Sequence, residues 1–181
     1  MHVKQITEDV PIPQGVAVRM DGPVIRVEGP KGKLSRTVAT KRVRVTVGDG
    51  AVTLTTEDAT RNEKRTLQTS RAHIANLMKG AAQGHVYRLK ICSGHFPMSV
   101  AIKGNTLEVK NFIGEAVPRT LTFMDDVSVK INGQEIVVES ASKERAGNQA
   151  GAIELLTRRP GFDPRVFQDG IYITEKDGKR V

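Results

Sequence analysis

The sequence has no tryptophan, and its five Phe and two Tyr make up only 4% of the chain. A core must then be assembled from Val, Ile, Leu and Ala, which suits strands and small helices and argues against a large aromatic pocket. The single cysteine, Cys92, excludes an intramolecular disulfide framework and fits a reducing compartment. No run approaches the roughly 18 apolar residues of a membrane span, and the start MHVKQITEDVPIP lacks the apolar centre of a signal peptide. A cytoplasmic chain with no membrane partner is expected. The four histidines, His2, His73, His85 and His95, show no zinc-ligand spacing, so neither a metal nor a cofactor is expected.

Positive charge is what the chain has in excess. Lys and Arg number 28 against 20 acids, for a net charge of +8 and a pI near 9.8. Such a field attracts polyanions, nucleic acid being the commonest. The excess is uneven: residues 1–80 hold 14 cations and 8 acids, residues 81–181 hold 14 and 12. All the aromatics, from Tyr87 to Tyr172, lie in the second half.

Turn dipeptides organise the 181 residues. Asp21-Gly22, Asp49-Gly50, Gly104-Asn105 and Asn132-Gly133 each separate alternating apolar runs, the pattern of a β-hairpin. Within each half the two turns lie 28 residues apart (22 to 50, 105 to 133), and the halves are offset by 83 (22 to 105, 50 to 133). The runs agree: VIRVEGPKG from Val24 matches TLEVKNFIG from Thr106, and VRVTVGDGAVTLTT from Val43 matches VSVKINGQEIVVES from Val127. Each block then reaches a helical pattern. In the first, Ser70 precedes Ile74, Leu77, Met78 and Ala81, with Gly80 or Gly84 as the stop; in the second, Ala146, Ala150, Ile153 and Leu156 form a stripe that Pro160 closes. The expectation is an α+β chain of two duplicated small domains, residues 1–82 and 83–181. Each is an antiparallel or mixed sheet packed on one helix, and the second carries an extended C-terminal tail.

The stretch VEGPKGKLSR sets three cations among two glycines and a proline directly after the alternating run VIRV. It fails as a mononucleotide loop, because Lys33 is followed by Leu34 rather than Ser or Thr. Gly29-Pro30-Lys31-Gly32 satisfies the G-x-x-G of KH domains, but that loop joins two helices and this one follows a strand-like run. What remains is a turn projecting Lys31, Lys33 and Arg36, equally able to meet backbone phosphates or simply to be solvated. Cys92 and His95 in ICSGHFP invite a nucleophile-and-base reading, but Cys92 sits in an apolar run and reads as a buried structural thiol. Asp125-Asp126 reads as a turn or edge guard, and Arg158-Arg159 as a helix cap or a phosphate contact. The tail interleaves Phe162, Phe167 and Tyr172 with Arg158, Arg159 and Arg165. It suits docking on a partner or folding back onto its own domain, while Lys179-Arg180 lies in a polar end expected to be mobile.

VEGPKGKLSR, preceded by VPIPQGVAVRMDG, closely resembles the N-terminal domain of the ribosomal protein L six family. NFIGEAVPRTL, KERAGNQAGAIELLTRRP and FDPRVFQDGIYI are similar to its archaeal and eukaryotic branch; the last replaces the proline-rich segment of the bacterial pattern. The resemblance runs from about Val10 to Tyr172. It implies a structural protein, not an enzyme, bound to large-subunit rRNA near the sarcin-ricin loop and the region where translation factors dock. Neighbouring large-subunit ribosomal proteins are its other implied partners. It also implies that the second domain and its tail carry much of the RNA contact. The expected rRNA-binding residues are Lys110, Asn111, Arg145, Asn148, Gln149, Arg158, Arg159 and Arg165, with Lys31, Lys33 and Arg36 as a secondary set. Asn148 and Gln149, placed at the helix start, would offer amide donors, and Gly147 and Gly151 would admit either an RNA backbone or a sheet. A KH-like single-strand RNA binder and a two-sheet protein-interaction module are the rival readings.

Overall fold

The computed structural model describes residues 3–38, 42–48, 50–163 and 165–181. The chain divides into two compact units. The first runs to Gly84 and takes in Ala141–Lys143; the second comprises His85–Ser140 and Glu144–Val181.

The first unit follows the order β1 (Val3–Pro11), β2 (Ala17–Asp21), β3 (Val24–Gly29), β4 (Gly32–Thr37), β5 (Arg44–Val47), β6 (Ala51–Ala59) and α1 (Arg61–Ala82). The second repeats it with β7 (His85–Cys92), β8 (Ser99–Lys103), β9 (Thr106–Lys110), β10 (Arg119–Thr122), β11 (Ser128–Asn132), β12 (Glu135–Ser140) and α2 (Lys143–Leu156). It then adds β13 (Gly170–Lys176) and β14 (Lys179–Arg180). The helices begin 82 positions apart (61 to 143). Each unit holds two sheets rather than the expected one: β2-β3-β4 with β1-β6-β5, and β8-β9-β10 with β11-β12-β7-β13-β14. All pairings among the described residues are antiparallel.

Local chemistry accounts for the hairpins. Gly22, Gly104 and Gly133 sit at φ of 60°, 60° and 62°, the left-handed backbone that tight two-residue turns require. Asp49, expected in the fourth such turn, lies outside the described residues. Strand alternation then divides inside from outside: in β3, Ile25 and Val27 are buried while Arg26 and Glu28 are exposed.

In the first unit the core is Ile25, Val27, Val52 and Leu54 against Leu67, Ile74, Met78 and Ala81 of α1. In the second it is Leu89, Leu107, Val109, Phe112, Ile136, Val138 and Ile171 against Ala146, Ala150 and Ile153 of α2. The small stripe of α2 brings the helix close to its sheet. A Cβ on Gly147 would sit 3.2 Å from the Tyr87 hydroxyl, whereas one on Gly151 would meet open space. Of the two glycines, Gly147 therefore serves helix–sheet packing.

Two expectations need correction. The first helix starts at Arg61, nine residues before Ser70. Its opening turns are so charged that only the spacing of Glu63, Leu67, Ser70, Ile74, Met78 and Ala81 reveals one continuous buried face. Thr60 and Glu63 form a capping box in which Glu63 also accepts from Arg42. Those hydrogen bonds, from the Thr60 hydroxyl first, hold the Glu63 carboxyl down at about 2. The tail, in turn, is not an extended appendage. β13 pairs with β7 along Gly170–Lys176 and buries Ile171, and Lys179-Arg180 closes a hairpin back onto β13.

Leu67→Ala should lower the unfolding free energy by about 2–5 kcal/mol in urea titrations, because the side chain is fully buried. An unchanged midpoint would mean that the first turns of α1 are not packed. Glu63 has a depressed carboxyl, so its contribution is complete above pH 4.5 and disappears as pH falls toward 2. Glu63→Gln should therefore destabilise at neutral pH and flatten the acid limb of a stability-versus-pH curve.

Candidate nucleic-acid interface

Burying Ala146, Gln149, Ala150 and Ile153 turns the other side of α2 to solvent, and Arg145 and Asn148, three residues apart, share that exposed side. Arg145 is ion-paired with Asp126 and lines a shallow recess with Phe123, Met124 and Asp125. Gln149 is 1% exposed, and its Oε1 accepts the Met124 N–H at 2.9 Å. It holds the β10–β11 loop to the helix and is unavailable to RNA.

Beyond α2 the chain turns around Arg119. Its Nε and Nη2 make a fork of two 2.7 Å hydrogen bonds to Glu115, and its Nη1 donates to the carbonyls of Leu156 at 2.6 Å and Arg158 at 3.1 Å. The guanidinium lies 4.5 Å above the Phe112 ring. Arg119 thus satisfies the last carbonyl of the helix, that of Leu156, while those of Glu154 and Leu155 accept from the backbone N–H groups of Thr157 and Arg158. Hydrogen bonding to Arg119, more than to any other group, holds the Glu115 carboxyl below its ordinary value. Sequence reasoning missed Arg119; the signal was the Glu115-x-x-x-Arg119 spacing inside NFIGEAVPRTL.

Arg158 and Arg159 then enter a cleft of about 530 Å³ whose walls include Phe112, Phe162, Phe167 and Tyr172. Its presence overturns the argument against an aromatic pocket: four of the seven aromatics of the chain line this one cleft. Arg159 lies 4.3 Å over the Phe162 ring and 3.6 Å from Glu115. Arg158 is exposed, and no acid among the described residues pairs with its guanidinium. Arg165 is not part of the cleft. It is locked to Asp163 through Nε and Nη2, which lowers the aspartate and raises the guanidinium from their ordinary values.

Lys110 is exposed beside Glu108, 3.7 Å away, which Lys103 also holds at 2.6 Å. Asn111 takes a left-handed φ of 56° and donates to the Pro97 carbonyl at 3.0 Å, a turn-forming role leading into Phe112. In the first unit the three expected cations do not form one cluster. Lys33, paired with Glu28 at 3.1 Å, faces solvent, and Arg36 lies on the opposite face of β4 with its guanidinium 3.3 Å from His73. Lys31 is exposed at the turn, but its N–H donates to the Ala81 carbonyl at 3.0 Å. A Cβ on Gly29 would lie 2.5 Å from that same oxygen. Gly29-Pro30-Lys31-Gly32 is thus a β-hairpin turn docked on the end of α1. It joins two strands, and the KH reading falls.

The family model described as "Ribosomal protein L6" matches residues 12–84 and 96–170. The chain belongs to that family. The curated large ribosomal subunit protein uL6 of Nanoarchaeum equitans is 42% identical over 189 residues, covering 100% of this chain and 98% of the relative. Those of Methanosarcina mazei and Methanococcus vannielii are 38% and 40% identical over 174 residues, each covering 96% of this chain and 99% and 96% of themselves. Membership of the ribosomal protein L6 family makes the chain a ribosomal protein and not an enzyme.

In this family member a buried carboxylate secures the far wall of the cleft. Asp169, its side chain 2% exposed, accepts the N–H groups of Gly94 at 2.7 Å and His95 at 3.0 Å, and its Oδ2 lies 2.6 Å from the His95 ring. The His95 ring in turn leans on Phe167, 5.3 Å away. Burial alone would raise the Asp169 carboxyl, but the N–H groups and ring of His95 outweigh it and keep it below its ordinary 3.8. A depressed carboxyl contributes stability above its unfolded value and loses it as pH falls through the folded one. Exchange protection of the Gly94 and His95 amides should therefore persist at neutral pH and drop below pH 3.8. In Asp169→Ala it should be absent at every pH, and retained protection there would show that the loop holds itself.

Proposed function

We propose that this chain is a structural constituent of the large ribosomal subunit in the cytoplasm. In this reading it binds folded large-subunit rRNA through backbone phosphates and shape, close to the sarcin-ricin loop and the ground where translation factors dock. Neighbouring large-subunit proteins are its other partners. Arg158 carries the reading. It is an exposed guanidinium with no acid partner among the described residues, at the rim of a cleft beside Arg159, in a chain whose relatives are named as large-subunit proteins. Cations already tied to acids can offer only a share of their charge to phosphate, which ranks Arg158 first and Arg159, which reaches Glu115, after it. Arg145 and Lys110 follow, with the uncharged Asn148 on the same exposed side as Arg145, and Arg165, forked onto Asp163, comes last. Lys31 and Lys33 form a separate, weaker set in the first unit. The two compact units stand as the two duplicated domains of this reading.

Titration of the full chain against a large-subunit rRNA fragment containing the sarcin-ricin region, at several salt concentrations, tests this. Log K should fall linearly with log salt, and Arg158→Ala/Arg159→Ala should weaken binding and reduce the slope by about 2, one for each phosphate that is no longer neutralised. A flat dependence in the parent chain would sink the phosphate model. An unchanged slope in the double variant would return both arginines to structural duty.

A further inference from the structure

The cleft beside α2 is more aromatic than a phosphate contact requires. Its volume of about 530 Å³ falls within the roughly 300–1,000 Å³ typical of small-ligand sites. Tyr172 is 40% exposed and Phe162 36%, although both line a concavity in which aromatic rings would ordinarily be covered. The Arg159 guanidinium, stacked on Phe162, supplies a flat cationic surface of the kind on which unpaired bases rest. Glu154 accepts the Ile173 N–H on Oε1 at 2.9 Å and retains a second oxygen able to accept from a base amino group. The walls are held in advance by Arg119 at one end and Asp169 at the other, which reduces the ordering cost of binding.

Building on the RNA-binding reading above, we propose that this cleft receives a single unstacked nucleobase of the bound RNA, stacked on Tyr172, with an adjoining phosphate on Arg158. Charge favours a nucleotide over an apolar protein side chain as occupant. An apolar side chain would fill the aromatic walls but leave the Arg158 guanidinium without an anion, whereas a nucleotide carries a π-face and a phosphate together.

Two RNA hairpins with the same stem test the proposal, one fully paired and one carrying a single bulged adenosine. The chain has no Trp, and its other tyrosine, Tyr87, is only 8% exposed and does not line the cleft, so a change in tyrosine emission on binding reports on Tyr172. The bulged hairpin should bind more tightly and quench that emission. Tyr172→Leu, which keeps apolar bulk on β13, should remove the preference, about 5- to 150-fold, with the paired hairpin bound as before. Equal, salt-dependent affinity for both hairpins without quenching would overturn the nucleobase site and leave the RNA reading standing. No salt-dependent binding of either hairpin would remove both. If Tyr172→Leu kept both affinities but joined large subunits poorly, the cleft would belong to a protein neighbour and the proposal would fail.

Discussion

Burial of one narrow stripe on each helix is the constraint from which the rest of the structure follows. With no tryptophan and few other aromatics, the first unit closes its core with Leu67, Ile74, Met78 and Ala81, and the second with Ala146, Ala150 and Ile153. Small side chains must approach closely to exclude water, so α2 rides near enough to its sheet that a Cβ on Gly147 would press on the Tyr87 hydroxyl. Once that face is committed, a period of 3.6 residues leaves Arg145 and Asn148 outside and draws Gln149 in. The exposed chemistry of α2 is thus a consequence of what its core requires.

The two copies use the same architecture differently. In the first, the cationic turn Gly29-Pro30-Lys31-Gly32 uses its backbone to meet the end of α1, and its glycine is needed for close approach to Ala81. In the second, the corresponding stretch opens into a 3-10 turn, Phe112–Gly114, that buries Phe112 beneath Arg119. Arg119 takes the Leu156 and Arg158 carbonyls, while the side chains of Arg158 and Arg159 line the cleft. The added strand β13 then returns the chain to the sheet and carries Tyr172 into the same cleft. The second unit of the chain in this way holds a cationic, aromatic hollow whose walls are fixed by Arg119 and Asp169.

Much of this was legible in the residues. The α+β class and the duplication followed from the glycine turns and the alternating runs between them, because those signals are local. The start of α1 was not, since RNEKRTLQTSR carries a single large apolar residue, and its capping box becomes visible only once Thr60 and Glu63 are set beside Leu67. β1 and β7 escaped notice as a matching pair because VKQITEDVP and HVYRLKIC share little beyond their places before each first hairpin. β13 was missed because its partner β7 lies some 80 residues away in the chain, and strand pairing at that separation leaves no local mark. At the site, residue types were readable and partnerships were not. Nothing in the sequence distinguishes Arg165, tied to Asp163, from Arg158, which no acid among the described residues holds.

The claim that the second unit carries the RNA contact is tested most directly by ultraviolet crosslinking of intact large subunits containing this chain, followed by mass spectrometric mapping of the peptides bound to RNA. Crosslinks are predicted at Arg145–Asn148 and across Arg158–Tyr172, with Tyr172 itself among them. Crosslinks confined to residues 3–84, with the cleft unmarked, would contradict the account.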